Sequence, residues 1–215
     1  MIGLPNDPAT LPPVFPPDRG FPRPSVPVVV PMVDLAGQQA HGWLAEQRRI
    51  LLSGPLDSET VTTLAAQLMT LDGCSSDGVE LVVNSHGGPL AEIFAVLDVI
   101  DLMRAPVNVT CIGTAAGTAA ALVACGTGER RAARRASFSL RYDELESIEG
   151  RTHELVGQVE QLATLRTRYL ELLVAATDRD KATLTEELDR GQPHTAAEAL
   201  AMGLIDSIAS GPGTP

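Results

Sequence analysis

An α/β architecture on a mostly parallel sheet follows from three features of this 215-residue sequence. Short apolar runs rich in Val, Ile and Leu alternate with longer stretches whose apolar residues recur at helical spacing. Gly and Pro punctuate the joins, as in Gly54-Pro55, Gly87-Gly88-Pro89 and Pro106. Hydrophobic residues make up 44% and charged residues 20%, so the chain has enough apolar side chains to bury a core. Repeated β-α-β units then imply parallel strands joined by helical crossovers.

The elements read in order. Ten of the 16 prolines fall in residues 1–31, and proline fixes φ and removes a backbone donor. Residues 1–25 are therefore expected to be an extended, disordered arm, residues 26–210 the folded domain, and 211–215 a flexible end. Arg49–Ser53 reads as a strand closed by Gly54-Pro55. Asp57 or Ser58 caps a helix carrying Val61, Leu64, Ala65 and Leu68 on one face. Val79–Asn84 is a strand. Leu90–Arg104 is a helix with Leu90, Ile93, Leu97 and Ile100 in register, stopped by Pro106. Val107–Ile112 is a strand and Ala115–Cys125 a small-residue helix. Ala136–Leu140 is a strand, and Arg151–Ala176 a long helix with Leu155, Val159, Leu162, Leu165, Tyr169 and Leu172 on one stripe. Two short helices follow, and Leu204–Ile208 closes the sheet.

Charge and cysteine usage narrow the function classes. Lys+Arg number 16 and Asp+Glu 27, a formal net charge of −11, which disfavours nucleic acid and anionic membrane surfaces as partners. Lys181 is the lone lysine, so any Ser–Lys mechanism has one candidate base. Cys74, Cys111 and Cys125 show no metal-ligand spacing, so no metal or other cofactor is expected. With no basic, apolar leader at the start, they read as reduced thiols of a cytoplasmic protein. The apolar window 107–125 is long enough to suggest a membrane span, but its Ala, Gly and Thr content fits a buried strand and helix better.

Three local patterns carry chemistry. Asn84-Ser85-His86-Gly87-Gly88 ends a strand, where glycines let backbone N–H groups approach a developing oxyanion; its plain alternative is a tight turn. Gly113-Thr114-Ala115-Ala116-Gly117-Thr118-Ala119 is a strand-to-helix turn of the kind that presents nucleophiles in acyl-transfer enzymes. Ala196-Ala197-Glu198-Ala199, followed by Met202-Gly203-Leu204-Ile205-Asp206, is a short helix running into a last strand.

Taken with Val30–Val33 (Val-Pro-Met-Val), Arg49–Gly54 and the long helix, these motifs make the chain resemble the proteolytic subunit of the Clp protease, the ClpP family, over about residues 30–210. The resemblance implies a ClpP/crotonase-type spiral of β-α-β units with a long handle helix. It also implies subunits in stacked heptameric rings around a chamber of serine-protease sites, fed by an ATP-driven unfoldase.

The departures from the family pattern bear on function. The serine position is Gly117. The histidine position is Tyr142 in an ungapped reading and Arg141 if shifted by one, and the aspartate position is Gly191. Glycine has no oxygen, arginine stays protonated, and a phenol is a poor base near neutrality. The oxyanion donors would be the N–H groups of Gly88 and Thr118, with Pro89 altering the loop. A relocated Thr118–His86 pair is the rescue to consider, although residue 118 should point away when 117 points in. His86 is expected in the loop, His194 at the surface near Asp189, and Ser139 on the outer face of its strand.

Assembly features look better kept. Asp189 and Arg190 match an acidic-Arg pair that contacts the opposing ring, and residues 151–176 match the handle helix. Asp143–Glu149 is acidic where the family strand is Gly-rich, which favours mixed oligomers or a single ring, and Glu129–Arg135 is either its basic partner or a solvated turn. The cleft that receives the unfoldase maps to Glu80, Val82, Leu102, Thr110 and Ile112, without its aromatic anchors, so docking of a Clp ATPase should be weakened. A short segment between Val33 and Arg49 implies a reduced axial gate. The expectation is a non-catalytic subunit in homo- or hetero-oligomers with ClpP-type subunits. The alternatives are an active serine endopeptidase with an unusual site and a crotonase-like acyl-CoA enzyme or binder.

Overall fold

A computed structural model describes residues 35–142, 152–177 and 179–209, with side chains from Ala40 and, in the long helix, from Gly157. The arm, the terminal segment, the boundary at residue 26 and the acidic run 143–149 lie outside the described residues.

Among the described residues, seven strands form one sheet. β1 (Arg49–Ser53), β2 (Val79–Ser85), β3 (Val107–Ala116), β4 (Arg130–Ala133) and β7 (Ser207–Ala209) lie side by side in that order, all parallel. The crossover helices are α2 (Ser58–Cys74) and α3 (Leu90–Leu102), and α1 (Leu35–Glu46) precedes β1. Helix α2 starts because Asp57 accepts the Thr60 N–H at 2.8 Å, leaving the rest of its first turn to continue as helix. It buries Val61, Leu64, Leu68 and Leu71, while α3 buries Leu90, Ile93, Val96, Leu97 and Ile100. The two helices close over Leu81, Val83, Val107 and Val109, all fully buried on the sheet.

β3 runs four residues past its predicted end, and that extension builds the site. Gly113 takes a left-handed φ of 72°, and a β-carbon there would meet Asn84 Oδ1 at 2.7 Å. The same Asn84 oxygen accepts the Thr114 N–H at 3.1 Å, holding the bend. Past it β3 changes neighbours. Its first half pairs with β4, and Thr114–Ala116 pair with β5 (Ser137–Ser139). β5 in turn pairs antiparallel with β6 (Pro193–Thr195). The sheet thus forks at a glycine bulge, and the fork sends Ala116 into the tight turn before α4 (Thr118–Ala124). α4 therefore begins at 118 rather than 115. Every residue in it is buried, which favours its four alanines on a helix packed all round, with Leu122 and Val123 filling the larger spaces.

Three further differences are physical. The run 129–135 is a solvated turn only at its exposed end, Arg134–Arg135. It holds β4, where the Arg130 guanidinium donates to the Ala124, Ala176 and Gly203 carbonyls and pairs with Asp206. The segment before Arg49 holds helix α1. The closing strand lies at 207–209, because Asp206 is spent on Arg130. Helix α5 (Thr152–Thr177) buries Tyr169, Leu170 and Leu173 against the domain, whereas Val159, on its earlier turns, is 54% exposed. Helices α6 (Lys181–Arg190) and α7 (Ala196–Ala201) follow α5, capped by Asp180 and by a Thr195–Glu198 capping box.

Candidate functional site and family

The site lies where β2 and β3 end. Gly117, between β3 and α4, has φ 54° and ψ −126°, a sharp elbow that few residues with a β-carbon adopt. Hydrogen bonds on both sides hold it. Its N–H donates to the Ser139 carbonyl at 2.9 Å, and its own carbonyl accepts the Ala120 N–H at 3.0 Å and the buried Tyr169 hydroxyl at 2.8 Å. The turn geometry that would present a nucleophile is complete, with hydrogen for a side chain.

Gly88 faces this elbow from the end of β2. A β-carbon on it would sit 2.7 Å from the Leu56 carbonyl carbon, so only glycine fits. Its N–H donates to Thr118 Oγ1 at 2.8 Å, and the same hydroxyl donates to the Gly88 carbonyl at 3.1 Å. Thr118 is fully buried. This corrects the expectation that residue 118 turns away: alternation between 117 and 118 fails because the elbow, not a strand, joins them. The Thr118 hydroxyl is engaged by backbone, and His86 is an exposed loop residue, so the two do not form a nucleophile–base pair.

Arg141 and Tyr142 follow β5 and diverge. The Arg141 β-carbon lies 3.5 Å from where a Gly191 side chain would begin, and its guanidinium donates to the His86 carbonyl at 3.3 Å. Tyr142 instead packs on α5, with its ring centroid 6.1 Å from that of Tyr169 and the Arg166 guanidinium 4.7 Å over its face. Burial pushes its phenol above the ordinary tyrosine value; Arg166 opposes the shift and Asp189 adds to it. At neutral pH such a group holds its proton and cannot take one from a nucleophile.

Gly191 closes α6 in the left-handed conformation, φ 58°, as the C-cap, with its N–H on the Glu187 carbonyl. Its carbonyl accepts the Ser139 hydroxyl at 3.0 Å. Ser139 is therefore inside the corner rather than on an outer face, because β5 is covered by β6 and by the end of α6. His194 is also not a surface residue: its side chain is 14% exposed, 3.1 Å from a Glu187 carboxylate oxygen. Asp189 and Arg190 are exposed, with Arg190 paired to Glu186 and Glu187 on its own helix. Lys181 is exposed at the start of α6.

On the outer face of the sheet a cleft of about 360 Å³ is lined by Leu44, Glu80, Val82, Thr110, Ile112 and Arg131, among others. Its floor is polar. Glu80 accepts from the Thr110 hydroxyl at 2.5 Å and from the Arg131 guanidinium at 2.7 Å. Leu102, expected there, is 84% exposed and is not among its lining residues.

Among the described residues no group of three His, Cys, Asp or Glu is placed to hold a metal, and no helix is long and apolar enough to cross a membrane. The roles of Thr118, Ser139 and Tyr169 were not evident in the sequence. A hydroxyl in the first turn of an otherwise apolar buried helix was the available signal.

Comparison with known proteins agrees with this architecture. The Clp protease family model matches residues 35–212. The chain is 32% identical over 168 residues to "ATP-dependent Clp protease proteolytic subunit 1" of Mycolicibacterium paratuberculosis, covering 77% of this chain and 80% of that protein. It is 34% identical over 175 residues to "Putative ATP-dependent Clp protease proteolytic subunit-like" of Streptomyces coelicolor, covering 80% and 83%. It is 31% identical over 169 residues to "ATP-dependent Clp protease proteolytic subunit 2" of Streptomyces avermitilis, covering 78% and 84%. The bulged β3, the glycine elbow and the long helix thus sit on a chain that belongs to the Clp protease family.

Proposed function

We propose that this chain is a non-catalytic Clp protease subunit. It assembles with itself or with active paralogues and modulates or scaffolds an ATP-dependent serine protease. The observation that carries the reading is Gly117: an elbow with nucleophile geometry and no oxygen to attack with. The base and acid positions support it. The contact between the Arg141 β-carbon and Gly191 favours Arg141, rather than Tyr142, at the histidine position. Guanidinium cannot accept a proton, and Gly191 supplies no carboxylate. Loss of a whole triad lowers turnover by about 10⁶.

Assembly is favoured by the exposed Val159 on an early turn of α5, and by exposed Asp189 and Arg190 as the contact to a facing ring. The Glu80–Arg131 pair in the outer cleft supports weak or absent docking of a Clp ATPase, because an apolar loop would have to desolvate it. Three free thiols fit the reducing cytoplasm.

The test is mass measurement of the intact complex from its native host, with every subunit identified, together with fluorophosphonate labelling of the purified chain. The expected result is a ring containing active subunits, with no label on this chain. A Ser or Thr of this chain taking the probe, or casein digestion by the chain alone, would overturn the reading.

A further inference from the structure

The loop at the end of β2 is satisfied from within. The Gly87 N–H donates to Ser85 Oγ at 3.0 Å, and the Gly87 carbonyl accepts the Leu56 N–H at 3.0 Å. The Gly88 N–H and carbonyl are both taken by the Thr118 hydroxyl, and the His86 carbonyl is taken by Arg141. Pro89 has no N–H to offer in exchange. Leu56 backs Gly88 closely enough that the loop cannot retreat from Thr118.

From this we infer that Thr118 is an internal plug. Its hydroxyl occupies the Gly88 N–H that would otherwise stabilise a substrate oxyanion, so this subunit is closed at the oxyanion position as well as stripped of its nucleophile. The inference rests on the non-catalytic reading and goes further than it. Putting back the three triad side chains leaves the site shut while the Thr118 hydroxyl remains. A charged oxyanion must displace a neutral hydroxyl that both accepts from and donates to the same residue, in a pocket with no room for Gly88 to turn.

The first measurement is residue-resolved hydrogen exchange of the full chain. The Gly88 amide exchanges at least roughly tenfold more slowly than an unprotected amide, Thr118→Ser retains that protection, and Thr118→Val loses it. Exchange of Gly88 at the unprotected rate in the parent chain overturns the plug, whether or not either variant folds. The second is fluorophosphonate labelling of the Gly117→Ser, Arg141→His, Gly191→Asp chain with and without Thr118→Val. Labelling is about 100-fold faster with the valine, the size of one oxyanion donor. Equal rates, zero included, count against the plug. Peptide hydrolysis by the parent chain would instead sink the non-catalytic reading, and it is scored separately from Gly88 exchange.

Discussion

At the turn from β3 into α4 the unusual backbone is held by close packing and the side chains are plain; where Leu140–Tyr142 meets Gly191 the one left-handed residue is a helix-capping glycine, and the side chains make the local bonds. In the first region Gly117 keeps φ 54°, ψ −126°, and Gly88 keeps a contact with Leu56 that no β-carbon survives. In the second, Arg141 reaches a loop carbonyl, Tyr142 packs on Tyr169, and Ser139 ties β5 to the Gly191 carbonyl. Under the non-catalytic function proposed above, the difference teaches what packing retains and what it releases. The elbow is also the start of a buried helix and the end of a central strand, so packing keeps it. A base and an acid touch only substrate and each other, so their sites accept whatever bonds the corner can form.

The comparison breaks first at Gly88. Gly88→Ala drives a methyl into the Leu56 carbonyl, and the fold should lose about 3–4 kcal/mol, read as a fall in the denaturation midpoint. A midpoint within a degree or two of the parent would mean that the loop is free to move, and the backbone half of the comparison would fall. Gly117→Ser comes next. A side chain at φ 54° is strained by about 1–3 kcal/mol, and without a base the new hydroxyl hydrolyses nothing. Unchanged stability in urea would show that the elbow relaxes easily. Tyr169→Phe removes one buried hydrogen bond to the Gly117 carbonyl and should cost about 1–2 kcal/mol with no change in secondary structure. A neutral result would mean that α5 does not brace the elbow.

What was legible in the sequence follows the same division. Elements whose apolar spacing sets their burial were readable: β1, β2, α2 with its Asp57 cap, and α3. That Gly117, Tyr142 or Arg141, and Gly191 stand where the resemblance puts the triad is an expectation from the sequence, and the non-catalytic proposal rests on it. β4 was not readable, because Arg130 and Arg131 look solvated until three carbonyls, Asp206 and Glu80 are brought to them from distant segments. The register choice between Arg141 and Tyr142 hung on one residue, and it is addressed by contact with Gly191 rather than by spacing. Thr118 was misjudged because alternation was carried across a glycine elbow, where it no longer holds.

The smallest effect concerns the scaffold beside both regions. Arg130 donates to both carboxylate oxygens of Asp206, at 3.2 and 3.1 Å, and this bonding holds the Asp206 carboxyl below its ordinary value against a partial opposing cost of burial. A folded-state value below the unfolded one means that the contribution is fully present above about pH 4 and lost as pH falls through the depressed value. Because Asp206 is 43% exposed, solvent screens the pair, and its worth is up to about 1 kcal/mol. Asp206→Asn should therefore lower stability slightly at pH 7 and flatten its decline below pH 4, followed by thermal melts across that range. Equal flattening by Tyr169→Phe would show that acid stability is set at the elbow instead of at the β4–β7 edge, and the two regions would no longer be separable from the scaffold that carries them.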